Sequence, residues 1–261
     1  MEDQDLRSCR EHGPFRGEIC PVCGDEGRGL MHPDEIEGVS RILAGMLRHF
    51  PENYGVRMDP HGWVRIYTIV PAIRTQRRRY GWITPYHIIA LAKTDHRQRY
   101  EVNERDEIRA TYGHTIPVDL SDLPVENIPE IVYYQTTPEE YEFIMETGIS
   151  PSDKTYVHLS STYRKAYVSG LFHVDNPLIL DVDTEKYIES GGKIYRASHE
   201  VYLCKEISPE FLKKSEVEEV ELTEDEQEDI KRVKVKREAR TRDQQDLAYL
   251  WEIPNYKGFQ F

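Results

Sequence analysis

The chain has 261 residues, with 34 lysines and arginines against 47 aspartates and glutamates, a formal net charge of −13. That length predicts about two domains of roughly 100–150 residues. No apolar run reaches the ~18–20 residues that span a bilayer, the acidic start Met1-Glu2-Asp3-Gln4-Asp5 has no apolar core of a secretory signal, and the net charge argues against nonspecific coating of nucleic acid. A cytoplasmic monomer is the expectation. The average hides a split, however: acid gathers in 216–229, whereas Arg48, Arg57, Arg65, Arg74, Arg97 and Arg99 crowd 41–109. A basic face on an acidic protein fits a phosphate-bearing ligand. The run Arg77-Arg78-Arg79 on its own reads as solvated surface.

Residues 1–32 carry Cys9-x-x-His12 followed by Cys20-Pro21-Val22-Cys23-Gly24. Two residues between ligands let both side chains face one ion, and three thiolates with one imidazole suit tetrahedral zinc. Four protein ligands close the coordination sphere, which predicts a structural site. A disulfide is the rival reading, and a histidine within the pattern weakens it. So short a segment buries little core, so metal would supply its folding energy. Cys204, in Val201-Tyr202-Leu203-Cys204, reads as a small buried apolar residue.

In 33–122, Ile36, Val39, Ile42, Leu43, Met46 and Leu47 recur at helical spacing, with Arg41 and Arg48 on the opposite face. Phe50-Pro51 ends that helix, because a residue before proline avoids the α region. Arg48 and His49 then sit in a last turn, where the helix dipole favours cations. That is an ordinary reason for both. A turn at Asp59-Pro60-His61-Gly62 leads into a strand Trp63-Val64-Arg65-Ile66. Thr84-Pro85 is a cap with proline at the first helical position. Arg99-Tyr100-Glu101-Val102 and Glu107-Ile108-Arg109-Ala110, joined through a polar turn, read as a hairpin. Helices followed by such a wing suggest a winged-helix-like lobe that holds nucleic acid through its phosphates.

In 128–215, strands are expected at Ile131-Val132-Tyr133-Tyr134, Tyr156-Val157-His158-Leu159-Ser160, Leu178-Ile179-Leu180-Asp181-Val182, Ile194-Tyr195 and Val201-Tyr202-Leu203. A helix over 139–147 closes at Gly148, a good residue after a helix end, and Ser161 is expected to cap another running to Gly170. The pattern is α+β with a largely antiparallel sheet. Neither GxGxxG nor a P-loop occurs, and His158 alone reads as a core histidine. From 216 onward the chain runs acidic and then mixed, which reads as a solvated helix or partly disordered arm. Leu247, Tyr249, Leu250 and Trp251 are apolar enough to dock.

Taken in order, Leu47-Arg48-His49-x-Pro51, Gln98-Arg99-Tyr100, Ile108-Arg109-Ala110-x-x-Gly113-His114-Thr115 and Val157-His158-Leu159-Ser160 resemble the RNA 2′-phosphotransferase family of KptA type. His61-Gly62-Trp63, Leu180-Asp181-Val182-Asp183 and Ile207-Ser208-Pro209-Glu210-Phe211-Leu212 extend the resemblance over roughly 36–212, and the leading zinc module resembles an archaeal-type addition. The resemblance implies a winged-helix-like lobe joined to an ADP-ribosyltransferase-like lobe. It also implies removal of an internal RNA 2′-phosphate using NAD⁺. The phosphate attacks the nicotinamide ribose, nicotinamide leaves, and the ribose 2″-OH attacks the phosphodiester. The products are a 2′-OH and ADP-ribose 1″,2″-cyclic phosphate.

By that resemblance Arg48, His49, Arg99 and Lys154 are the catalytic set. Arg41, Arg97 and Arg109 are phosphate or RNA contacts. Gly113, His114, Thr115, Gln135, Thr136, Thr137, His158 and Ser160 hold NAD⁺. Arginine suits the role because its fork clamps phosphate and never loses its proton. Three departures fall in the cofactor lobe. Lys154 stands for an arginine, Gln135 for a histidine, and Ala197-Ser198-His199-Glu200-Val201-Tyr202 replaces the family's S-E-N-G-V-W. Lysine keeps the charge but loses the fork, which predicts a slower second step. Alternatives are a noncatalytic zinc and winged-helix module that binds phosphorylated nucleic acid, an ADP-ribosyltransferase acting on terminal phosphates, and a generic zinc transcription factor.

Overall fold

The computed structural model describes residues 4–235 and 237. Leu247, Tyr249, Leu250 and Trp251, expected to dock, lie outside them. Among the described residues the fold is α+β, with three antiparallel sheets. No described helix is long and apolar enough to cross a membrane.

The first sheet is β2-β1-β3, from β1 (Leu6–Cys9), β2 (Gly13–Arg16) and β3 (Arg28–Met31). Its own core is only Cys9, Phe15 and Cys20, while Leu6 and Met31 belong to the large core of the next lobe. That lobe begins with α1 (Pro33–Ala44), where Glu35 accepts from the His32 N–H at 2.9 Å and ties the first turn. The expected helix does not reach His49 as a regular α-helix: Gly45–His49 widens into a π turn, and a 3₁₀ turn follows at Pro51–Tyr54.

Next come β4 (Val64–Arg65) and α2 (Ile66–Gln76), then α3 (Pro85–Lys93), β5 (Tyr100–Val102) and β6 (Glu107–Ala110), with sheet order β4-β6-β5. Only two residues of the expected strand at Trp63-Val64-Arg65-Ile66 are extended, and Ile66 starts the helix. The Thr84-Pro85 start and the hairpin of β5 and β6 are as expected. Ile36, Leu43, Leu47, Ile69, Ile73, Leu91 and Ile108 close this core.

The larger sheet has the order β10-β11-β8-β7-β9-β12, with every neighbouring pair antiparallel. Its parts are β7 (Ile131–Thr136), α4 (Pro138–Thr147), β8 (Val157–Ser160), α5 (Tyr163–Leu171), β9 (Leu178–Asp183), α6 (Thr184–Glu189), β10 (Tyr195–Arg196), β11 (Val201–Cys204) and β12 (Leu212–Lys214). Gly148 ends α4 at φ 83°, where a Cβ would lie 2.3 Å from the Ile207 carbonyl oxygen. The cap of α5 is Thr162, not Ser161: its hydroxyl accepts from the Lys165 N–H at 3.2 Å. Cys204 is buried in β11, and burial pushes its thiol up to about 12. A third apolar cluster, including Leu120, Leu123, Tyr156 and Leu203, packs the connecting segment onto this sheet.

Candidate active site

The π turn aims Arg48 and His49. Its closing bond runs from the Phe50 N–H to the Gly45 carbonyl at 2.8 Å, so the helix is one residue wider there. Arg48 leaves the exposed line of Arg41 and lies over the Tyr112 ring, 4.9 Å from its centroid. Its Nη1 is 3.2 Å from where a Cβ on Gly113 would stand, and Gly113 has φ 84°. The Thr115 N–H donates to the Arg48 carbonyl at 3.0 Å, and the Thr115 hydroxyl lies 3.1 Å from His49 Nδ1. Gly113, His114 and Thr115 therefore build the seat of Arg48 and His49. They are not among the residues lining the cavity described below, where NAD⁺ contacts were expected.

Two Arg48 nitrogens, Nε and Nη2, are buried without a hydrogen-bond partner. An unsatisfied buried donor costs about 1–3 kcal/mol, more when charged, and an anion placed there would relieve it. His114 is also unpartnered at both ring nitrogens and is 2% exposed. Burial, then the Arg48 charge, pushes it down to about 4. Partial burial, Arg48 and Lys154 together hold His49 below the usual imidazole range, so it is neutral at pH 7.

His158 joins the two lobes. Its Nε2 accepts from the Gly113 N–H at 3.0 Å, which puts the proton on Nδ1, donating to the Tyr156 carbonyl at 2.9 Å. Burial, then Lys154, pushes it down to about 3. Both nitrogens are used, so His158 offers a ligand only its ring carbons. It lines a cavity of about 430 Å³ together with Gln135, Thr136, Thr137, Lys154 and His173. Thr137 caps α4 by accepting from the Glu140 N–H, and the Thr136 hydroxyl donates to the Glu140 carboxylate at 3.2 Å. Ser160 is not in that lining: it pairs with Tyr133 and Val201 within the sheet.

Arg99 is held by Asp95, with Nη2 2.6 Å from Oδ1 and Nε 3.1 Å from both oxygens. Burial opposes the charge of Arg99, and Asp95 outweighs that and keeps it protonated. Arg41, Arg97 and Arg99 line a second cavity of about 680 Å³, with Arg16, Asp95 and His96. Arg41 pairs with Glu37 on the exposed face of α1.

Arg109, expected as a phosphate contact, has its fork engaged by carboxylates. It is 3% exposed, its Nη2 is 2.8 Å from Glu101, its Nη1 is 2.7 Å from Asp122, and it lies 4.5 Å over the Trp63 ring. Two carboxylates already use its fork. The expected hairpin contained the signal, since Glu101 and Arg109 are direct cross-strand partners.

Sequence reading missed Tyr112, which carries Arg48 on its face and meets the His158 ring edge-on at 6.3 Å. Asp95 and His173 were missed too, as was the contact made by Gln98. Gln98, at φ 49°, accepts from the His199 N–H at 2.9 Å and so ties the segment carrying Arg99 to the turn between β10 and β11.

In the N-terminal module the ligand atoms of Cys9, His12, Cys20 and Cys23 all lie within 4.8 Å of one another. Cys9 Sγ is 3.7 Å from Cys23 Sγ and 3.5 Å from His12 Nδ1, and Cys20 Sγ is 3.6 Å from that nitrogen. Those separations match the edges of a tetrahedron around zinc, about 3.8 Å between thiolates. The donor set thus fits a metal ion.

A family model for RNA 2′-phosphotransferase, Tpt1 / KptA family, matches residues 34–206. A probable RNA 2′-phosphotransferase of Thermoplasma acidophilum is 53% identical over 89% of this chain and 97% of its own length. Its counterpart from Thermoplasma volcanium is 49% identical over 90% and 99%, and one from Archaeoglobus fulgidus 39% identical over 81% and 95%. The chain that sets Arg48 and His49 beside Gly113, Thr115 and His158 belongs to the RNA 2′-phosphotransferase family.

Proposed function

We propose that this protein is an NAD⁺-dependent transferase that removes an internal 2′-phosphate from RNA, of the kind left at a tRNA splice junction. The observation that carries the reading is Arg48. A half-buried guanidinium held by π-turn backbone, with two buried nitrogens unpartnered, is a preorganised phosphate contact. His49 beside it is neutral at pH 7 and can take or orient a proton. Arg99, fixed by Asp95, supplies a second permanent cation. Lys154 supplies a third charge from the cofactor side, reaching both His49 and His158 with its field.

When bound, NAD⁺ supplies an electrophilic sugar carbon with nicotinamide as leaving group. Gln135 and Lys154 in the 430 Å³ cavity are the polar groups that would hold it, and that size suits a nucleotide-sized portion. The two lobes play winged-helix-like and ADP-ribosyltransferase-like parts in this reading. Zinc at Cys9, His12, Cys20 and Cys23 is structural in this reading, four protein ligands closing its coordination sphere.

The test is incubation with a 2′-phosphorylated RNA oligonucleotide and NAD⁺. Release of nicotinamide and a regained 2′-OH are expected, with Arg48→Ala slower by about 10²–10³-fold. Neither product at high enzyme concentration sinks the reading. One feature favours the second reading, a noncatalytic module: the hydroxyls of Thr136 and Thr137 are engaged with Glu140 rather than free. RNA binding with no nicotinamide release would select it.

A further inference from the structure

Residues beyond the family match, which ends at 206, do not trail into solvent at once. After β12, Ser215 bonds to Asp181 and donates its N–H to the Ile179 carbonyl at 3.0 Å. Val220 packs on the cluster of Tyr163, Ala166 and Ile179. Arg164 on α5 then takes the chain twice. Its Nη2 donates to the Glu221 carbonyl at 3.2 Å, and its fork grips Glu226 at 2.6 and 3.0 Å. A helix follows over 224–235. At its far end Lys234 and Arg237 close on Asp175 at 3.1 and 2.5 Å.

Helical geometry sorts these side chains. Glu226, Lys234 and Arg237 share one face, turned to the cofactor lobe, while Asp229 and Arg232 fall on another. Asp229 and Arg232 line the same cavity as Arg41, Arg97 and Arg99. The helix is therefore a wall of the arginine cleft, fastened on both flanks of its cofactor-lobe face. The charge it brings is the wrong one for a wall that admits RNA. Residues 216–235 contain nine acidic side chains against three basic ones, Lys231, Arg232 and Lys234. Within the helix, Arg232 is matched by Glu228 at 2.6 Å and Asp229 at 3.6 Å.

We propose that 216–235 is a strap that stands in for RNA phosphates at the arginine cleft and must be displaced before RNA seats there. This rests on the cleft being the RNA side of the site. The fastenings suit a displaceable part. Beyond the Val220 contact and the Glu221 carbonyl, the helix itself is fastened by ion pairs near the surface, individually weak and screened by salt, so a polyanion carrying many phosphates can outcompete them.

The experiment measures binding of a fluorescent 2′-phosphorylated RNA oligonucleotide by anisotropy, with the full chain and with Arg164→Ala/Asp175→Asn, across a salt series. The released strap should lower Kd about threefold to tenfold at low salt. The gap should narrow as salt rises and opens the native strap too. Glu228→Gln/Asp229→Asn, which leaves the fastenings intact, should shift Kd the same way. Backbone amides of 224–235 in the native chain should exchange faster when RNA is added. Equal Kd values across these chains with tight RNA binding overturn the strap alone. Slower exchange with RNA does so too, because the helix would then be part of the RNA surface. No RNA binding by any of the chains overturns the cleft reading and the strap with it.

Discussion

At the scale of single residues, function follows from which cations are already spent. Arg109 and Arg48 are both arginines packed on an aromatic ring, and sequence gives them equal standing. Arg109 faces Glu101 and Asp122, whereas Arg48 faces Gly113 and keeps two nitrogens unsatisfied. Gly113 matters twice, for its φ of 84° and for the 3.2 Å approach of Arg48 Nη1. Gly113→Ala must strain the backbone or push the guanidinium aside. The expected result is a fall in single-turnover 2′-phosphate removal of about 10²-fold, since a displacement near 1 Å has that cost. A loss of roughly 1 kcal/mol or more in stability should accompany it. Native turnover in that variant would remove Gly113 from the account. Asp95 teaches the same lesson in reverse: a nearly buried carboxylate aims Arg99, and nothing in Thr94-Asp95-His96 announces it.

At the scale of elements, legibility tracked how local each cause was. Thr84-Pro85, Gly148 and the β5–β6 hairpin were readable because caps, turns and alternation act within a few residues. Helix α2 was not read, because Ile66, Thr68, Ile69, Val70, Ile73 and Thr75 are β-branched and Pro71 sits inside it. Those residues have poor helix propensity, and burial of Ile66, Ile69, Val70 and Ile73 overrides it. The π turn was also invisible, since its widened register is held by Thr115, distant in sequence.

The Cys/His module shows that a local motif has wider effects. Leu6 and Met31 of its sheet enter the main core. Stripping metal should therefore lower the melting temperature of the whole chain, rather than melt a separate small unit. Calorimetry with and without a chelator, alongside Cys20→Ser, checks this. A chelator with no effect on the native transition would falsify a structural metal.

At the scale of the whole molecule, two lobes meet through neutral histidines, His114 buried and His158 half-buried. His158 bonds Gly113 across the junction, and His114 lies beside Arg48. Folded values of about 3 and about 4 lie below the ordinary value of 6.5. The unfolded chain then binds more protons in between, so stability is full above pH 6.5 and falls as pH drops toward 4. Every tenfold weakening of proton binding in the folded state is worth about 1.4 kcal/mol, so the loss is on the order of a few kcal/mol. Melting temperature across that range should fall, and His158→Gln should flatten part of the slope. A flat native curve would mean the junction opens before it titrates.

The π turn also sets a rule about chain length. Up to Leu47 the helix obeys the core, because Leu43, Met46 and Leu47 are buried on one side. From Arg48 it obeys the site. The extra residue in that turn is a phase shifter between two periodic demands that a regular α-helix cannot meet together. Composition within 42–50 is accordingly freer than spacing. A chemically similar side chain at Ile42 would pass, while a single inserted or deleted residue would leave the chain its core or the placement of Arg48 over Tyr112, and not both.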